Sequence, residues 1–335
     1  MDTLKEFQNI LIPEFIRSLG IFVESSFPKG FPIMKEIYKY HLGLDDDYSQ
    51  QGKRIRPFLT LLCCAGTGPE WQKALPAAVS IELIHNFSLI HDDIEDNGLK
   101  RRGKDAVWIK WGLPHGLNAG DAMFASAFEA LFTLQENVSE NITLNAMRLL
   151  AETCGQLTKG QLLDIDFEDR ESVSVAEYLQ MVNYKTAALI SCSTKMGALI
   201  GRTSPFNQEK YYEFGNALGI AFQIYDDWLG VWGDFWNTGK STTGDIEEGK
   251  KTLPIILGIK NSNRFANKFK QGNISKNIAI EMAEWLREDG IEEKVIDTYN
   301  QWSEKALNFI SEMECSIQVR NALIELTNKL IIREK

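Results

Sequence analysis

The sequence predicts an all-α fold, a single large bundle of long helices. Two observations point there. Strand signals are scarce, while apolar residues recur with helical periodicity through 120–136, 144–166, 172–201, 207–231 and several segments after 276. Breakers separate these runs at Pro28 to Pro32, Gly66 to Pro69, Gly112 to Pro114, Gly201 to Pro205, Gly239 to Gly249 and Gly272 to Ile274. Nothing linker-like, repetitive or of low complexity divides the 335 residues, so 1–335 reads as one domain.

The most informative helix is 76–97, "PAAVSIELIHNFSLIHDDIEDN". It opens on a proline, which suits a first turn, and has no glycine until Gly98, a natural stop. Val79, Ile81, Leu83, Ile84, Phe87, Leu89 and Ile90 make it apolar around most of its circumference, as a buried helix should be. Its last turn nevertheless gathers Asp92, Asp93, Glu95 and Asp96. Anions at a helix C-terminus lose about 0.3–1 kcal/mol each to the backbone dipole. Buried without compensation they would lose several times more. Something positive must sit there.

Composition narrows the choices. With 44% hydrophobic residues the chain can bury a real core, and a net charge of −10 argues against nucleic acid and anionic membrane surfaces as partners. The opening "MDTLKEFQNI" carries neither a basic region nor an apolar stretch, so no secretory signal is expected, and no window is apolar enough for a membrane span. The five cysteines (63, 64, 154, 192 and 315) lack CxxC spacing and read as reduced core thiols of a cytoplasmic protein. With only four histidines, zinc is not expected. A bound metal would have carboxylate ligands, which points to a hard cation such as magnesium.

A second acidic site follows in "GIAFQIYDDWLGVWGDFWNTGK", residues 219–240, where a helix beginning near Asn207 delivers Asp226 and Asp227, with Asp234 beyond. Di-iron bundles need two Glu-x-x-His pairs, and Glu82 with His85 is the only one. Basic residues instead accompany the acids: Lys53, Arg54 and Arg56 in "GKRIRP", then Arg101–Arg102, Lys185, Lys240 and Lys250–Lys251. Magnesium can bridge carboxylates to phosphate while lysine and arginine take the remaining oxygens. Trp228, Trp232 and Trp236, one turn apart, read as a packing stripe, and Asp45–Asp47 as a solvated loop.

These motifs together resemble the trans-prenyl diphosphate synthases, the polyprenyl synthetases. They run in family order: "GKRIRP", "HNFSLIHDDIEDNGLKRRG", "GD" at 120–121, "GQLLDI" at 160–165, "KTAALI", "GIAFQIYDDWLGVWGD", "GK" at 239–240 and "GDIEEGKKTLP". The resemblance implies long helices around a central cavity (the isoprenoid synthase type I fold), a homodimer and three magnesium ions per active site. The implied reaction is head-to-tail condensation of isopentenyl diphosphate with dimethylallyl, geranyl or farnesyl diphosphate. By motif position, Asp92 and Asp96 should hold two of the ions and Asp226 the third, with Asp93 and Asp227 beside them. Arg101 and Lys240 should contact the allylic diphosphate, Lys185 next to it. Lys53, Arg56, His85 and Arg102 should hold isopentenyl diphosphate, with Lys250 a further substrate contact. Thr186 and Gln223 offer oxygens toward a carbocation. Gln161 and Asp164 lie on the matching cavity helix, Asp164 being the one expected to orient an arginine.

One departure stands out. Many family members carry a third aspartate in the second motif where this chain has Gly230, and the resemblance leaves third-metal affinity in question there. Product length, on the same resemblance, depends on bulk four and five residues before Asp92. Ser88 and Phe87 occupy those positions, with Ile84 a turn below. One Phe and one Ser look most like a geranylgeranyl (C20) synthase, with farnesyl (C15) and C25 products as alternatives. A class I terpene cyclase would need a different second motif, and a non-catalytic subunit would lack aspartates that this chain keeps.

Overall fold

A computed structural model describes residues 3–27, 30–44, 52–233 and 243–331. Asp45–Asp47, Asp234, Trp236 and Lys240 therefore lie outside the described residues. The described chain is helical, as expected, apart from short connections and a two-stranded ribbon. It divides into two compact units, the first comprising 1–154, 192–212 and 313–323, the second 155–191, 213–312 and 324–335.

The first unit contains α1 (Thr3–Ser26), α2 (Pro32–Leu42), α3 (Ile55–Ala65), α4 (Leu75–Glu95), α5 (Val107–Trp111), α6 (Leu113–Phe132) and the beginning of α7 (Glu140–Asp169). α4 is the helix anticipated over 76–97, with Val79, Ile81, Leu83, Ile84 and Ile90 buried. It packs most heavily on α6. Gly120 makes part of that approach possible, because a Cβ there would collide with the His91 ring.

α4 stops just before Gly98, as expected. The left-handed residue is Asn97 (φ 52°), and Gly98 has no positive φ. The amide of Gly98 donates to Asp93 O at 2.7 Å and that of Asn97 to Ile94 O at 3.3 Å, the paired bonds of a Schellman cap. Gly98 matters for space instead, since a Cβ would sit 3.3 Å from Asp93 Oδ1.

Beyond the cap, β1 (Lys100–Arg101) pairs antiparallel with β2 (Lys104–Asp105), Arg101 opposite Lys104. The two turn residues, Arg102 (φ 53°) and Gly103 (φ 77°), both adopt the positive φ that a tight hairpin turn requires.

The second unit holds the rest of α7, then α8 (Val175–Val182), a π-helical turn at Asn183–Ala187, and the start of α9 (Ala188–Ile200). Most of α10 (Pro205–Trp232) follows, with α11 (Gly244–Glu248), α12 (Leu253–Asn261), α13 (Asn263–Phe269), α14 (Lys276–Glu288), α15 (Ile291–Glu312) and the end of α16 (Ile317–Ile331). Its core is built on Phe167, Tyr178, Ile224, Leu253, Phe265, Leu286 and Val295. Trp228 and Trp232 pack against it, with their indole N–H groups donating to Glu292 Oε1 and Ala283 O, so those two tryptophans are packing residues as expected.

The helix expected over 172–201 is interrupted by the π-turn. Two glycines bring other backbones onto it. A Cβ at Gly160 of α7 would lie 2.6 Å from Lys185 Cα, and one at Gly219 of α10 would lie 2.6 Å from Ala187 Cα. Residues 186–194 are buried on every side, so no one-faced apolar pattern exists there whose shift could reveal the turn.

Candidate active site

The positive charge required at the end of α4 is Arg101. Its Nε donates to Asp93 Oδ1 at 2.9 Å, and Nη2 lies 3.4 Å from Asp92 Oδ2. Asp93 is buried, and burial holds its carboxyl above the ordinary range although Arg101 acts to lower it. The other oxygen of Asp93, Oδ2, is buried with no hydrogen-bond partner. Asp92 is half-buried and Asp96 exposed, four residues apart on one face.

Four residues expected to bind isopentenyl diphosphate fall in the same unit, and three come together. Arg56 Nη1 is 3.3 Å from His85 Nε2, and the Arg56 Nε is buried without a partner. Arg102 reaches His41 O at 3.2 Å and Asn86 Oδ1 at 3.4 Å. Burial, then the charges of Arg56 and Arg102, hold His85 well below the usual histidine range, so the ring is neutral. Lys53 is exposed at the entry to α3. Behind them Arg54 is buried in the left-handed region (φ 49°), its guanidinium on Glu82 and Leu42 O. Asn86 donates to Glu82 Oε1 at 2.9 Å.

In the second unit the π-turn presents Lys185 and Thr186. The Lys185 ammonium pairs with Asp164, so Asp164 orients a lysine, not the arginine expected. Thr186 donates to Gln223 Oε1 at 2.7 Å, and Gln223 donates to Asp227 Oδ1 at 2.9 Å. Tyr178 OH and the Leu253 amide complete the set on Asp227 Oδ2 at 2.5 and 3.2 Å. Burial, reinforced by the charge of Asp245, raises Asp227 to about 7. Asp226 is half-buried on the neighbouring face of α10. Lys250 is exposed and pairs with Glu248 at 2.8 Å.

The residues proposed to set product length lie on α4. Ile84 is fully buried, and Ser88 donates back to His85 O at 2.8 Å. The Phe87 ring is held edge-on by His91, with centroids 5.7 Å apart, and by Phe124 of α6 at 5.1 Å.

Comparison with known proteins decides the family. Residues 35–286 match the family model described as polyprenyl synthetase. The chain belongs to the polyprenyl synthetase family. It is 40% identical over 243 residues to a geranylgeranyl diphosphate synthase of Methanosarcina mazei, covering 72% of this chain and 74% of that one. It is 42% identical over 208 residues to a short chain isoprenyl diphosphate synthase of Methanothermobacter thermautotrophicus, covering 62% of this chain and 63% of that enzyme's length. A crystal structure of a geranylgeranyl pyrophosphate synthase superposes over 100% of both chains with a TM-score of 0.87 at 31% identity. This polyprenyl synthetase is accordingly a prenyltransferase of the trans-isoprenyl diphosphate synthase class.

The donor set of this synthetase suits a hard cation. Asp92, Asp96 and Asp226 offer only oxygens. Among the described residues no three His, Cys, Asp or Glu side chains converge on a metal ion by themselves. Magnesium is commonly bound by one or two carboxylates and completed by substrate phosphates, and the carboxylates at the end of α4, like Asp226 in the other unit, offer oxygens of that kind.

Sequence reasoning missed His41, Glu82, Asn86, Phe124, Tyr178 and the two glycines at the π-turn. The glycines act by leaving room for a neighbouring backbone, and the others by packing against or bonding a residue far along the chain. Only "GQLLDI" and "GIAFQ", which begin on Gly160 and Gly219, offered a hint.

Proposed function

We propose that this polyprenyl synthetase condenses isopentenyl diphosphate with dimethylallyl, geranyl or farnesyl diphosphate, giving an all-trans prenyl diphosphate whose main product is geranylgeranyl diphosphate (C20). The observation that carries the reading is the Arg56–His85–Arg102 cluster beside the acidic end of α4. Glu82, the acid among these side chains, is already engaged by Arg54. The excess positive charge calls for a second anionic ligand, and a cyclase would have only one diphosphate to bind.

In the reaction the allylic C1–O bond breaks, C4 of isopentenyl diphosphate bonds to C1, and its C2 loses a proton to the released pyrophosphate. Magnesium held by Asp92, Asp96 and Asp226, three ions in all, would neutralise the departing diphosphate when bound. Arg56 would hold an isopentenyl phosphate oxygen through its unpartnered Nε, with Arg102, Lys53 and Lys250 as further cations. His85, being neutral, would hydrogen-bond that group without adding charge. Arg101, already aligned by Asp93, and Lys185, aligned by Asp164, would meet the allylic diphosphate, together with Lys240. Thr186 and Gln223 bond each other, and no base activates either oxygen, so both can face a carbocation without capturing it.

Phe87, wedged between His91 and Phe124, supports a floor that stops at C20, with Ser88 and Ile84 beside it. An exposed apolar row on α6, Leu113, Leu117, Phe124 and Phe132, supports association with a second copy of the chain. No described helix is long and apolar enough to cross a membrane, and the cysteines are free thiols, four of them buried, which suits a cytoplasmic protein.

The test is purified protein with magnesium, labelled isopentenyl diphosphate and each allylic primer, with products sized by mass spectrometry. Geranylgeranyl diphosphate is expected. A cyclic hydrocarbon from a single substrate, or no elongation at all, overturns the reading.

A further inference from the structure

The side-chain amide of Asn86 is fully buried, and its two ends do different work. Its Nδ2 donates to Glu82 Oε1 at 2.9 Å and to Glu82 O at 2.8 Å, so both of its hydrogens go to one residue a turn back along α4. Glu82 Oε1 also accepts from the guanidinium of Arg54. With two acceptors on that side the amide has one orientation, since a flip would set its oxygen against theirs. Oδ1 is thereby turned the other way, and Arg102 Nη2 donates to it at 3.4 Å.

Two further residues complete the seat of Arg102. Its Nη1 donates to His41 O at 3.2 Å, and the His41 ring is itself bonded to the backbone of Asn86. A Cβ at Gly52 would lie 3.3 Å from Arg102 Cζ and 3.4 Å from Nη2, so the guanidinium rests in room that a glycine leaves. The contrast with its neighbour is one of charge. Arg101 is held by the carboxylates of Asp93 and Asp92, whereas among the described residues the oxygens that hold Arg102 are both neutral.

Resting on the proposed function, we infer that Asn86 is a positioning residue for the isopentenyl diphosphate site, acting through Arg102. Glu82 and Arg54 fix the amide, and the amide fixes the guanidinium without neutralising it. A carboxylate in the same place would compete with the diphosphate for that charge; an amide aims the cation and leaves its attraction for the ligand.

The probe is isopentenyl diphosphate itself, its affinity for the purified protein read by calorimetry and its KM by steady-state kinetics. Asn86→Ala should weaken both about tenfold, the weight of one hydrogen bond to a charged group. The KM for the allylic diphosphate should stay near wild type, which a general loosening of α4 would not allow. Arg102→Ala should also weaken isopentenyl diphosphate binding, and adding Asn86→Ala to it should cost nothing more. Gly52→Ala approaches the guanidinium from another side and meets only the end of that flexible side chain, so it should fold even if Asn86→Ala does not, with the same selective loss. Wild-type affinity in Asn86→Ala overturns the inference, as does a full further loss in the double variant or an equal rise in both KM values. If Asn86→Ala does not fold, wild-type affinity in Gly52→Ala overturns it. A wild-type protein that neither binds isopentenyl diphosphate nor condenses it overturns the functional reading instead.

Discussion

The phenol of Tyr178 donates to Asp227 at 2.5 Å, on the carboxylate oxygen not taken by Gln223. With the Leu253 amide, three donors converge on one side chain. All three bonds favour the anion and act against the burial that lifts Asp227 to about 7. Tyr178 acts to lower that value. Tyr178→Phe should therefore move the acid limb of the kcat/KM profile upward, with rates converging on wild type in alkali. It should also reduce stability by roughly 1–3 kcal/mol, since a buried carboxylate loses a donor. An unmoved acid limb would count against ionised Asp227 in the working enzyme.

Gly219→Ala would push a methyl group against the π-turn backbone at Ala187, where no side-chain rotation gives relief. Crowding of this kind costs about 1–3 kcal/mol. Because Thr186 is the preceding residue, kcat should fall further than KM rises. Steady-state kinetics with isopentenyl diphosphate varied would show equal changes in both if the turn served packing alone.

Phe87→Ala removes a ring that His91 and Phe124 hold edge-on. The space opens on α4, one turn and a residue before Asp92. Products should lengthen by at least one five-carbon unit, read by chromatography of the dephosphorylated alcohols. An unchanged distribution would place the floor elsewhere.

Acid should destabilise this protein before it reaches the carboxylate range. Burial and the charges of Arg102 and Arg101 push His41 from 6.5 down to about 3. Between those values the unfolded chain takes up a proton that the native chain refuses, so stability falls as pH falls, by about 1.4 kcal/mol per unit. Above 6.5 both states are neutral and His41 gives no slope. His85, also held low, adds in the same direction, while Asp227, raised to about 7, takes up its proton first in the native state and offsets part of the loss. Urea midpoints at pH 7 and pH 5 should differ less in His41→Gln than in wild type, whatever the variant's stability at pH 7. Equal differences would mean that His41 is not the group responsible.

How much of this could be read beforehand differs from residue to residue. The helix bearing Asp92 was legible because apolar residues cover it so fully that only a buried helix suits them. Its stop at Gly98 was legible too, whereas the left-handed turn falls on Asn97, which nothing in the pattern singled out. The ribbon at Lys100–Asp105 has no apolar alternation to announce it. Arg56, His85 and Arg102 were assigned together by motif, and the structure brings them together. Asp164 was singled out with the wrong partner. Asp245 lay within a quoted motif, but that its carboxylate fills the space beside Gly230 and its charge lifts Asp227 is a matter of three dimensions.

The hairpin turn has a further consequence. Arg101 and Arg102 are joined by one peptide bond, yet the first reaches into the aspartates of α4 and the second toward His41 and Asn86. One six-residue ribbon thus carries both guanidiniums, and a change of backbone at its turn would displace the two together.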